Sequence, residues 1–158
     1  MHAHQHHACN FNGLMSLYET NYMLLRSLIP CVVGVDNQTV SSVNGGQDLF
    51  LQVIEHNKYT SCISLTHRFR EKDAAVALPG LTIRIYFDAC QAEVVSWQGR
   101  ENFAGLNAHS FSRLPSVKAK WQVNLFLGKW LQYCLKIGHR FERSNPRAIG
   151  CRALTETY

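Results

Sequence analysis

Leu49-Phe50-Leu51-Gln52-Val53-Ile54-Glu55-His56-Asn57-Lys58-Tyr59-Thr60-Ser61-Cys62-Ile63-Ser64-Leu65-Thr66-His67 is the stretch on which the fold turns. Two runs rich in β-branched and aromatic residues flank Asn57-Lys58, a pair that tolerates a tight turn, so the segment reads as a hairpin. A two-residue loop sets His56 opposite Tyr59, Ile54 opposite Ser61, Phe50 opposite Leu65 and Asp48 opposite His67. Leu49, Leu51, Val53 and Cys62 then occupy the other face. Both faces carry apolar groups, and a single layer of helices leaves some of them uncovered.

Working outward, residues 38–43 form a further β-prone run, joined to the hairpin by Asn44-Gly45-Gly46, where positive φ is tolerated. Runs at 81–88 and 92–97 follow, giving five strands at 38–43, 49–55, 59–67, 81–88 and 92–97. Helices bracket them. Over 13–29, Leu14, Leu17, Tyr18, Tyr22, Leu25, Leu28 and Ile29 recur at helical spacing, with Asn12 as the expected cap and Pro30 as the stop. From Ser116, a second cap, Val123, Leu127, Trp130, Cys134 and Ile137 repeat by fours and threes until Gly138, widened by Phe126, Leu131 and Leu135. With no βαβ alternation, the order predicts an α+β fold, a five-stranded mostly antiparallel sheet flanked by an N-terminal and a C-terminal amphipathic helix. The second helix is expected to lie across the sheet. The organisation predicted is a flexible His-rich tail (1–12), a single α+β domain (13–138) and an Arg-containing tail (139–158), both tails dispensable for folding.

The chain has 158 residues, enough for one core, and its 46% apolar and 17% charged content is that of a folded protein. The residues Met1-His2-Ala3-His4-Gln5-His6-His7 do not read as a secretory signal, and no run spans a bilayer, so a cytoplasmic protein away from the membrane is expected. Cys9, Cys31, Cys62, Cys90, Cys134 and Cys151 are scattered without a C-x-x-C pair, which suggests reduced thiols packed as small hydrophobes. A formal charge of +5 is compatible with an acidic partner without requiring one.

Several segments occur together in order: Leu17-Tyr18-Glu19-Thr20-Asn21-Tyr22, Lys58-Tyr59-Thr60, Thr82-Ile83-Arg84-Ile85-Tyr86-Phe87-Asp88-Ala89, Ala92-Glu93-Val94, Gln122-Val123-Asn124-Leu125-Phe126-Leu127 and Trp130-Leu131-Gln132-Tyr133-Cys134-Leu135. From Leu14 to Gly138 the chain resembles the YqiB-like family, domain of unknown function 1249. The resemblance implies a small bacterial cytosolic protein and assigns no catalytic residue. That family has an Asp-Glu pair before the lysine matching Lys120; here Lys118-Ala119 stands in its place, so a role for acidic residues there does not carry over.

Candidate binding residues come from two places. Arg84, Tyr86 and Asp88 alternate along one strand and share a face, and a two-residue turn at Cys90-Gln91 brings Glu93 opposite Asp88 and Trp97 opposite Arg84. One cation, one phenol and two carboxylates can bind a polar ligand or form an acid and base pair; they can equally neutralise one another, or stack on Trp97, on a solvated face. Lys118 and Lys120 sit in the first turn of the second helix, against its dipole, and with Arg113 can hold an anion; solvated lysines are the plainer reading. No metal site or cofactor is expected. The tail histidines have no preformed geometry, and His56, His67, His109 and His139 read as surface or hairpin residues. G-x-S-x-G, Walker and G-x-G-x-x-G patterns are absent, which removes the usual support for hydrolase, P-loop and dinucleotide chemistry.

The leading functional expectation is a non-enzymatic binding or regulatory module with a protein partner or a second copy of itself. Two alternatives stand beside it: a nucleic-acid (RNA) binding protein, and a small enzyme acting on an anionic metabolite at the Arg84, Tyr86, Asp88 and Glu93 face.

Overall fold

The computed structural model describes residues 8–32, 35, 37–68, 80–98 and 116–142. Asn10 opens α1 (Phe11–Leu28), its extended backbone turning the chain and its side chain accepting the Gly13 N–H at 2.8 Å. The cap is thus Asn10 rather than Asn12, which already lies within the first turn. Leu14, Leu17, Tyr18, Tyr22, Leu25 and Leu28 are all buried, as their spacing predicts, and Asn21 is buried among them.

The strands are β1 (Gln38–Ser41), β2 (Asp48–His56), β3 (Thr60–Arg68), β4 (Gly80–Tyr86) and β5 (Gln91–Gln98), followed by α2 (Val117–Lys136). They form one sheet in the order β1-β2-β3-β4-β5, antiparallel throughout. The architecture is the expected α+β one. Gly45 takes φ +73° between β1 and β2, and Gly138 takes φ +101° just past α2, conformations that L side chains rarely adopt.

Two hairpin registers differ from the sequence expectation. The β2–β3 turn centres on Lys58-Tyr59, one residue later than expected, and is closed by Asn57 N–H to Thr60 C=O at 2.8 Å, so His56 pairs with Ser61. An irregularity between Val53 and Glu55 shifts the register again, and beyond it Leu51 pairs with Leu65 and Leu49 with His67. The bulge gathers Leu49, Leu51, Ile63 and Leu65 on one face and leaves Gln52 and Ser64 on the other. Between β4 and β5 the turn runs from Phe87 to Cys90, with Cys90 at φ +52°. Tyr86 therefore faces Gln91, Arg84 faces Glu93, and Trp97 faces Leu81 rather than Arg84.

Both helices cover the same face. Tyr22 and Leu25 from α1 and Val123, Leu127, Trp130, Leu131 and Cys134 from α2 join Leu49, Leu51, Ile63, Leu65, Leu81, Ile83 and Val94 in one core. Full burial of each aliphatic side chain stabilises the fold by about 1.5–3 kcal/mol. The helices also pack on each other, and both run against β5. Gly128 permits that approach, since a Cβ there would sit 2.9 Å from Asn21 Oδ1.

The core continues past the helix stop that marked the expected start of the C-terminal tail. His139 and Phe141 are both 2% exposed, and Phe141 donates its N–H to the Leu28 carbonyl at 2.9 Å. His67, 5% exposed, does lie in the β2–β3 hairpin but is buried as well, so neither histidine is on the surface. Trp130 Nε1 donates to His67 Nδ1 at 3.0 Å, and His139 Nδ1 meets Ser41 Oγ at 3.0 Å: α2 and the sheet each supply the partner that makes imidazole burial tolerable. Cys62 and Cys134 are buried thiols and Cys9 and Cys90 exposed ones, whereas Cys31 is disulfide-bonded, contrary to the expectation of reduced thiols. Among the described residues no helix is long and apolar enough to cross a membrane.

Candidate functional site

β5 is an edge strand, and an edge exposes backbone N–H groups that seek a partner. Asn124 of α2 supplies one, its Oδ1 accepting the Val94 N–H at 2.9 Å while its Nδ2 donates to the Lys120 carbonyl at 2.8 Å. Asn21 of α1 donates through Nδ2 to the Asn124 carbonyl at 3.0 Å. Two asparagines thus lock both helices to the edge of the sheet beside Glu93.

The Tyr86 hydroxyl donates to Glu93 Oε1 at 2.7 Å, and Tyr18 of α1 lines the same cleft as this carboxylate. Burial, followed by the nearby charge of Glu93, pushes the Tyr18 pKa well above the ordinary phenol range. Burial and then the bond to Glu93 raise that of Tyr86. Both phenols keep their protons, and Tyr86 donates its own to Glu93. Arg84, exposed on β4, lies two residues from Tyr86 on the same strand, and that phenol is the main cause raising its own pKa.

Between the starts of the helices and β5 lies a cleft of about 460 Å³, lined by Phe11, Leu14, Met15 and Tyr18 of α1, by Glu93, and by Ser116, Val117 and Lys120 at the start of α2. Ser116 caps that helix, its Oγ accepting the Ala119 N–H at 3.2 Å. Its charged groups are the Glu93 carboxylate and the Lys120 ammonium, the Tyr18 and Ser116 hydroxyls add neutral polar groups, and the other lining residues are apolar. Phe11 and Val117, 64% and 42% exposed, form an apolar rim. Such a cavity falls in the size range of small-molecule sites.

The structure brings Arg84, Tyr86 and Glu93 together and leaves Asp88 apart, exposed on the turn with Oδ1 accepting the Ala89 N–H at 2.9 Å. It also joins Glu93 to Lys120, two residues that the sequence placed in separate groups. Lys118 is exposed on the same helical turn and does not line the cleft; Arg113 lies outside the described residues. In the sequence Tyr18 fits the buried stripe of α1, and only its hydroxyl, which needs a partner when buried, marks it as a site residue. Among the described residues no group of three His, Cys, Asp or Glu side chains is arranged to hold a metal ion; the tail histidines at positions 2, 4, 6 and 7 and His109 lie outside them.

Residues 24–140 match the family described as "Protein of unknown function (DUF1249)". The "Uncharacterized protein YqiB" of Escherichia coli strain K12 is 32% identical over 133 residues, covering 82% of this chain and 91% of the relative. The proteins of the same description from strains O6:H1 and O157:H7 match to the same extent. No solved structure matches the chain. The family match ends two residues beyond Gly138, so it takes in the buried His139.

Proposed function

We propose that this chain, which belongs to the DUF1249 family, is a non-enzymatic binding module that holds a small amphipathic ligand in the cleft between the helix starts and β5. The observation that carries this reading is that Glu93 and Lys120 line one cleft of about 460 Å³ whose remaining wall is largely apolar. Apolar enclosure with a few convergent polar groups is the general character of a ligand site. A binding role is favoured over a catalytic one by Tyr86, whose hydroxyl donates to Glu93 Oε1 and so fixes the carboxylate's orientation within the cleft.

The test is a fragment screen followed by amide chemical-shift mapping on the full chain. Shifts clustered at Leu14 to Tyr18, Glu93 and Val117 to Lys120 are expected. Hits that instead map to Gln52, Ser64 and Thr82, on the face of the sheet away from α1 and α2, would refute the cleft.

A further inference from the structure

We infer that the head group of the cleft's ligand is zwitterionic, as in a free amino acid with an apolar side chain, its ammonium directed to Glu93 and its carboxylate to Lys120. This rests on the cleft being the binding site. The Tyr86 hydroxyl is a neutral donor to Glu93 Oε1, so it orients the carboxylate without cancelling its charge. A carboxylate has about four lone-pair sites, and this one bond leaves acceptor capacity for a ligand N–H. Lys120, which lines the same cleft, belongs to the first turn of α2, where the positive helix end disfavours a cation and an incoming anion relieves that repulsion.

With one charge of each sign on the walls, a simple cation meets Lys120 and a simple anion meets Glu93. A zwitterion satisfies both. The Asn124 side chain holds the walls in register, because it bonds the N–H of Val94, next to Glu93, and the carbonyl of Lys120 itself. Phe11, Leu14, Met15 and Val117 then offer the surface for an apolar side chain, and the exposure of Phe11 and Val117 is the unmet part of that surface.

The experiment titrates the full chain with L-phenylalanine, phenethylamine and 3-phenylpropionate, following cleft amides by NMR. L-phenylalanine should bind about tenfold or more tightly than either analogue, the worth of one charge-assisted hydrogen bond. Glu93→Gln should abolish its advantage over 3-phenylpropionate, and Lys120→Met its advantage over phenethylamine. The comparison of analogues on the unaltered protein needs no variant to fold. If the analogues shift cleft amides as strongly as L-phenylalanine, the cleft stands and the zwitterionic head group is overturned. If none of the three moves a cleft amide and the fragment screen is silent there too, the cleft itself falls, and this inference with it.

Discussion

Asn124 and Val94, 30 positions apart, share a buried hydrogen bond in which the asparagine Oδ1 accepts the strand N–H at 2.9 Å. One side chain therefore closes the edge of the sheet at β5, where a free N–H would otherwise be buried without a partner or invite another strand. The same residue bonds the Lys120 carbonyl and receives a bond from Asn21. The edge of the sheet, the helix pair and the cleft walls thus depend on a common residue.

Asn124→Ala should destabilise the protein by about 1–3 kcal/mol, because it strands buried donors and acceptors rather than removing them in pairs. Urea denaturation measures the loss, and hydrogen exchange should show the Val94 amide among those whose protection falls most. Unchanged stability with unchanged Val94 protection would mean that the bond does not hold the edge.

A pH dependence follows from His67. Trp130 donates to its Nδ1, which places the imidazole proton on Nε2, where the Cys134 Sγ lies at 3.8 Å. Protonating Nδ1 would break the tryptophan bond and bury a charge beside His139. Burial first, and then the neighbouring His139, lower the His67 pKa from the ordinary 6.5 to about 4. Since the folded value is the lower, the unfolded chain binds the proton more readily. The contribution of this group to stability is present in full above pH 6.5 and is lost as pH falls from there toward about 4. His139 adds in the same direction: burial lowers its pKa, and the Asp48 carboxylate and nearby backbone groups only partly offset this. Thermal midpoints measured across this range should decline on acidification in the wild type and decline less in His67→Phe. Parallel pH profiles for the two proteins would exclude His67 as the source.

Phe141→Ala should cost about 3–5 kcal/mol, as expected for truncating a buried aromatic residue. Its ring is 2% exposed, and its N–H caps the Leu28 carbonyl at the end of α1. A change below about 1 kcal/mol in chemical denaturation would show that the segment after Gly138 rests on the core without contributing to it.

Much of this architecture was legible in the sequence, because helix and strand periodicities report directly which side chains face a core. Leu14 to Leu28 and Val123 to Cys134 announced both helices, and Gly45 and Gly138 stand at the turn and helix end that their types suggested. Registers were less legible. A four-residue turn at Phe87 to Cys90 and a bulge near Ile54 each shift the pairing, and neither changes the hydrophobic alternation that sequence reading follows. That is why Arg84 faces Glu93 while Asp88 does not. The buried polar residues were the least visible. Asn21, Asn124, His67 and His139 find their partners across 103, 30, 63 and 98 positions respectively, and local spacing carries no trace of such pairings.

A ligand held between Phe11, Glu93 and Lys120 should be excluded when the cleft is filled. Val117 is 42% exposed on the rim, so Val117→Trp places bulk in the opening without disturbing the core. The same fragment library is screened by NMR against the wild type and this variant. Fragments that shift Glu93 and Lys120 in the wild type should lose those shifts in Val117→Trp while the thermal midpoint stays nearly unchanged. Retention of the same hits at the same affinity by a folded Val117→Trp protein would place the ligand elsewhere.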